Sequence, residues 1–228
     1  MKALRIGSLM LLLVGCGSYQ LPAPEDIAAA PVVGVKGRQG WVRNRISFGD
    51  YEAREIDRDW VRSDTTRIVW YKASKSAQPY RFQLAYKGEV VWVVDCAYRT
   101  KDRDIEVGDG WEFELESNAA LFCGLAPVDG GELHRLELHA SRNRVLTGTV
   151  TGAYTMRVEG RGTALFDNGE HGPTGGFYLR ADGRSLAAVQ TANSGSVRIA
   201  THLDLQHRHA VAAVAGALLI LDESRREF

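Results

Sequence analysis

The stretch that most limits what this chain can become is "AVAAVAGALLIL", Ala210–Leu221, twelve residues without a polar side chain. A helix built from it has no face to show water, so it must be buried in protein or in a membrane. Crossing a bilayer takes about 20 apolar residues. This run is bounded by His207, Arg208 and His209 on one side and by Asp222 and Glu223 on the other, so burial inside protein is expected. Asp204 is placed to cap the helix before Leu205, and Arg225 and Arg226 suit the negative end of its dipole. The expected helix runs over about 205–223.

The chain around it reads as strands. From Trp41 onward, short segments rich in Val, Ile, Tyr, Trp and Phe alternate with turn residues. Candidate strands fall at 41–48, 51–57, 67–73, 80–86, 89–98, 110–117, 119–125, 132–139, 144–150, 153–159, 161–166, 176–181, 185–191 and 196–201. "EVVWVVDCAY" is apolar on both faces as far as Asp95, which predicts a strand covered on both sides. Two segments share one pattern, Phe82-x-Leu84-x₃-Gly88 and Phe177-x-Leu179-x₃-Gly183, each ending in the glycine of a tight hairpin turn. That likeness fits an internal duplication or independent convergence on a common hairpin.

About a dozen strands close on a lumen too wide for their own side chains to fill, and a central helix is one way to fill it. The run suits that place: Ala210, Ala212, Ala213, Ala215, Gly216 and Ala217 keep its first half slim, while Val211, Val214, Leu218, Leu219, Ile220 and Leu221 supply larger contacts. The expected fold class is all-β, an antiparallel β-barrel of about twelve strands enclosing a hydrophobic C-terminal α-helix. On "AVAAVAGALLILDE" (Ala210–Glu223) and the two Phe-x-Leu-x₃-Gly hairpins, the sequence resembles the tubby C-terminal-like superfamily, closest in style to LURP-one-related and scramblase-type barrels. The resemblance spans about residues 41–224 and implies the barrel fold and proximity to lipid or membrane. No Lys/Arg cluster matches the phosphoinositide pocket of tubby proteins, and no scramblase calcium site can be matched.

"MKALRIGSLMLLLVGC" reads as a processing signal, with Lys2 and Arg5 before a short apolar core, Ile6–Val14. It ends in Leu13-Val14-Gly15-Cys16, which looks like a bacterial lipobox. That likeness implies a signal peptide at 1–15 and a lipid on Cys16. Gly17-Ser18 follows the cysteine without the Asp that retains many lipoproteins at the inner membrane, which implies the outer membrane, with the protein lipid-anchored in the cell envelope and facing the periplasm. Residues 16–40 carry Pro22, Pro24, Pro31, Gly34, Gly37 and Gly40, the texture of a flexible tether. The barrel domain is then 41–228. Without residues 1–15 the chain holds 26 basic and 28 acidic residues, a balance that does not point to nucleic acid.

Export also sets the redox environment. Apart from Cys16 there are Cys96 and Cys123, an even pair in an oxidising compartment, read as a disulfide or as two buried free thiols.

Motifs for chemistry are sparse. Nucleophile elbows, HExxH, P-loops and CxxC pairs are absent from the sequence. "GEHGPTGG" (169–176) lacks the lysine of a phosphate loop. "DRDIEVGDG" (102–110) has alternating carboxylates, but Val107 and Phe113 stand where a calcium loop needs Gly and Glu. His202, His207 and His209 lack the i, i+4 spacing of a helical metal pair and read as solvated or at the mouth of the barrel. His134 and His139 lie an odd number apart and so face opposite ways on a strand. In "REIDRDWVRSDTTR" (54–67), Trp60 between Arg58 and Arg62 is either ordinary packing or an anchor for a partner. The expected function is a non-catalytic binding or structural role without cofactor or metal. The partners expected are the membrane, through the lipid, and an envelope protein or lipid. The rivals are a periplasmic hydrolase-like enzyme with a site assembled only by the fold, and a lipid carrier with an open lumen.

Overall fold

The structure is a computed structural model that describes residues 19–38, 44–58, 77–99, 119–140, 145–162 and 174–226. The segment 1–15 read as a signal peptide, Cys16, the candidate strands 67–73 and 110–117, the 102–110 loop, Trp60 and most of 169–176 lie outside the described residues.

Twelve strands form one antiparallel sheet. They are β1 (Val33–Gly34), β2 (Arg45–Phe48), β3 (Tyr51–Asp57), β4 (Ala77–Tyr86), β5 (Glu89–Arg99) and β6 (Ala119–Pro127), then β7 (His134–Ala140), β8 (Leu146–Thr151), β9 (Met156–Gly162), β10 (Thr174–Ala181), β11 (Arg184–Gln190) and β12 (Ser196–Ile199). From β2 to β12 each strand pairs with the next in sequence, and β1 lies beyond β12. Lys36, just after β1, exchanges two backbone hydrogen bonds of 2.9 Å with Ser47 of β2. The sheet is thereby drawn into a nearly closed barrel whose seam is spanned by the residues around β1.

Helix α1 (Leu205–Arg226) packs inside this wall. Its whole run from Ala210 to Leu221 is buried. The slim half matters where the wall is bulkiest: a methyl group at Gly216 would sit 3.1 Å from the Phe82 ring. Tyr80, also fully buried, donates its hydroxyl to the helix carbonyl of Ala217 at 3.0 Å, which satisfies a polar atom that burial would otherwise penalise. Phe82, Leu84, Val94, Leu136, Leu138, Val158, Leu179 and Val189 alternate inward along their strands to meet the helix. Cys96 and Cys123 lie directly opposite in the β5–β6 register and are joined by a disulfide, with Cα atoms 4.1 Å apart.

Strict alternation of direction sorts the connections between two ends. The turns at 49–50, 87–88, 128–133, 152–155 and 182–183 and the lead-in to α1 at 200–204 share one end, here the hairpin end. The β11–β12 turn at 191–195 and the β3–β4, β5–β6, β7–β8 and β9–β10 connections share the other, the long-loop end.

Three expectations change. The stretch read as a tether is packed on the barrel from Tyr19 onward. It climbs the outer face of β10 and β11, turns at a 3-10 turn (Glu25–Ile27) and returns as β1. Ile27, Ala30, Tyr178, Ala188 and Ala200 form a small second core beneath it. That cover makes β10 and β11 apolar on both faces, whereas Val91 and Val93 of β5 are only half-buried. Finally, the segments 153–159 and 161–166, divided in the sequence at Gly160, contribute one strand, β9. Gly160 belongs in it because a Cβ there would lie 2.2 Å from the Leu146 carbonyl oxygen of β8.

Candidate functional site

The first turns of α1 enter at the hairpin end, and the side chains that receive them are mostly rings. Asp204 caps the helix: its carboxylate accepts the His207 backbone N–H at 2.9 Å and reaches His207 Nδ1 at 2.6 Å. These bonds hold the Asp204 carboxyl below the usual carboxylate range. His207 lies against Tyr154 with centroids 3.7 Å apart, Tyr154 against His134 at 5.6 Å, and His134 against Trp92 at 5.0 Å. On the other side His209 stands 4.8 Å from the Tyr86 ring and 5.7 Å from Tyr51. Tyr51 Oη and His209 Nδ1 are 2.9 Å apart. Burial pushes the Tyr51 phenol up, so it keeps its proton, and the tautomer of the imidazole decides which of the two groups donates.

Three hollows open around this collar. One, of about 370 Å³, is lined by Val91, Trp92, Val128, His134, Tyr154 and Leu205 among others. A second, about 580 Å³, lies across Tyr154 and includes Arg184, His202 and His207. The third, about 280 Å³, is bordered by Phe48, Tyr51, Tyr86 and Arg208. Val128 and Leu205, 54% and 51% exposed, put apolar side chains in water at the rim of the first.

His134 is the most constrained group in the collar. It is 3% exposed, its Nδ1 bonds the Glu132 carbonyl at 3.1 Å, and its Nε2 is buried without a hydrogen-bond partner. The carbonyl fixes the proton on Nδ1, leaving Nε2 as an acceptor. Burial lowers the His134 pKa, and burial together with Arg208 lowers that of His209. Both imidazoles are therefore neutral at neutral pH and act as hydrogen-bonding, aromatic surfaces rather than as cations.

Of the histidines named from sequence, His207 and His209 join the collar while exposed His202 only borders a hollow. His134 faces inward and His139 outward, as their odd spacing requires. Sequence reading missed the rings: Tyr51, Tyr86, Trp92 and Tyr154. A usable signal was present, because Tyr51 follows the Gly49-Asp50 turn and Tyr86 precedes Lys87-Gly88, so both stand at the same end of the barrel. Among the described residues, no group of three or more His, Cys, Asp or Glu side chains is placed to hold a metal ion, and no helix is long and apolar enough to cross a membrane. No family model, curated protein or solved structure matches the chain.

Proposed function

We propose that this protein is a bacterial envelope lipoprotein, anchored through Cys16, whose helix-plugged barrel binds a ligand or partner at its ring-lined mouth without catalysing a reaction. One observation carries the reading. The axis of the barrel is occupied by α1, and three hollows instead gather around the helix's first turns. A filled axis disfavours a carrier that would enclose a lipid in its lumen. The apolar rim of Val128 and Leu205, with the neutral imidazoles behind it, favours a surface that receives apolar groups. A relation to the tubby C-terminal-like superfamily is part of the same proposal and rests on the likeness of Ala210–Glu223 and of the two Phe-x-Leu-x₃-Gly hairpins.

Two measurements test this. Palmitate should label the wild type and not Cys16→Ser; equal labelling contradicts the anchor. A photo-crosslinking residue at Val128 or Leu205 should give adducts in intact cells that the same residue at Glu52, on the outer wall, does not. Identical adducts at all three positions would remove the mouth as the binding surface.

A second reading has its own support. Tyr51–His209 and Asp204–His207 are hydrogen-bonded titratable pairs beside hollows, the arrangement an acid–base catalyst needs. Turnover of a simple ester by the mature protein, abolished in both His207→Ala and His209→Ala, would establish that reading and end the non-catalytic one.

A further inference from the structure

Where the anchored chain meets the barrel decides which way the barrel stands. The leading strap is held by contacts distributed along it. Asn193 Nδ2 donates to the Tyr19 carbonyl at 2.8 Å, Gln190 Oε1 accepts from the Leu21 N–H at 2.9 Å, and the Tyr178 hydroxyl donates to Pro22 at 2.6 Å. Asp26 accepts the Ser185 N–H at 2.6 Å, and Arg198 donates to the carbonyls of Ile27, Ala28 and Ala30. Leu21 packs over Gly176, where a Cβ would lie 2.8 Å away. The first of these contacts is at the long-loop end, because Asn193 sits in the β11–β12 turn. The rest climb toward the hairpin end, where Ser185 follows the 182–183 turn.

Tyr19 is three residues from Cys16. Three Cα-to-Cα steps reach at most about 11 Å, little more than the polar headgroup layer of one leaflet, roughly 5–8 Å. A lipid on Cys16 therefore leaves the barrel almost no slack.

We propose that the bilayer lies on the side of the β11–β12 turn, and that the ring-lined mouth at the opposite end points away from the membrane, toward whatever it binds. This rests on the lipid anchor of the reading above. It assigns the short chain from Cys16 to Tyr19, with its docked continuation, the job of orienting the domain. Such a device differs from a tether, which would let the mouth sample every direction.

The test uses the full lipidated chain in vesicles of phosphatidylethanolamine and phosphatidylglycerol that carry an energy-transfer acceptor on the headgroups. With Cys16 acylated and Cys96 bonded to Cys123, a new thiol is the single labelling site. A fluorophore on Ser194→Cys, exposed in the β11–β12 turn, should lie close to the headgroups. One on Arg184→Cys, exposed beside the 182–183 turn, should lie about 15 Å or more farther out, the rise of β11 after strand tilt. A 20-residue Gly/Ser insertion between Ser18 and Tyr19 spans about 25 Å and should abolish most of that difference. Equal distances in the uninserted protein, or Arg184→Cys nearer the membrane, would overturn the orientation while leaving the anchor standing. A mature protein whose mass shows no acyl group on Cys16 would overturn both.

Discussion

The β4–β5 and β10–β11 hairpins stand six strands apart in the barrel and are built alike in detail. Lys87-Gly88 and Asp182-Gly183 both place two successive residues at positive φ, 49° and 95° in one, 50° and 74° in the other, the geometry of a type I′ turn. Each hairpin then carries the same bulge. Leu84 pairs with Trp92 and Ala85 with Val90, skipping Val91; Leu179 pairs with Ala187 and Arg180 with Ser185, skipping Leu186. Phe82 and Phe177 both point into the core. Agreement in turn, bulge and inward ring fits an internal duplication as well as convergence on a common hairpin.

Outside the wall the two part company. The outer face of β10–β11 is sealed by the strap, with Tyr178 and Ala188 beneath Ile27 and Ala30. The outer face of β4–β5 instead carries Arg81, whose Nε lies 3.0 Å from the buried carboxylate of Asp95, and Gln83, which donates to Glu55 at 2.5 Å. The inner face of each hairpin answers to the common helix, while its outer face answers to whatever covers it locally.

Perturbing what both hairpins share should do the most damage. Gly216→Glu forces a carboxylate against the Phe82 ring, and truncation after Gln206 removes the axis. Neither should give a cooperative thermal transition, and a protease-resistant truncated domain would show that the wall stands without its helix. The disulfide tests the β4–β5 side alone. Replacing Cys96 and Cys123 together with Ser should cost about 3–4 kcal/mol in denaturant unfolding, and thiol titration of the denatured wild type should find both unreactive until reduced. The strap tests the β10–β11 side. Arg198→Ala removes the donor to three strap carbonyls and should cost about 2 kcal/mol, with faster proteolytic cutting between Tyr19 and Arg38. If the hairpins are true repeats, Gly88→Ala and Gly183→Ala should cost nearly the same, each about 1 kcal/mol. Neither site would meet a clash within 4 Å, so the penalty is conformational alone.

The smallest effect concerns the collar. His134 and His209 titrate below their ordinary value in the folded protein, so the unfolded chain takes up protons first as pH falls. Their contribution to stability is therefore present above about pH 6.5 and is lost progressively below it. Unfolding midpoints at pH 7.5 and 5.5 should show that loss, and it should shrink in His134→Phe.

The helix, the disulfide pair and the twelve-strand wall were legible because each rests on a local pattern: an apolar run, a cysteine count, alternation between turns. Tyr19–Arg38 was not, since Pro22, Pro24, Pro31, Gly34 and Gly37 have the composition of a linker and its burial depends on β10 and β11, far along the chain. The mouth was half legible. His207 and His209 announce themselves beside the apolar run and Tyr51 beside its turn, but Trp92, His134 and Tyr154 converge on them only through strand register.

The helix is the core around which the barrel wall is built, and native-state hydrogen exchange is the measurement that can show otherwise. Amides from Ala210 to Leu221 should exchange only through global unfolding, at the same free energy as those of β5 and β11. Exchange of the helix amides at a markedly lower free energy, with the strands still protected, would show a barrel that stands on its own and a helix that merely visits it.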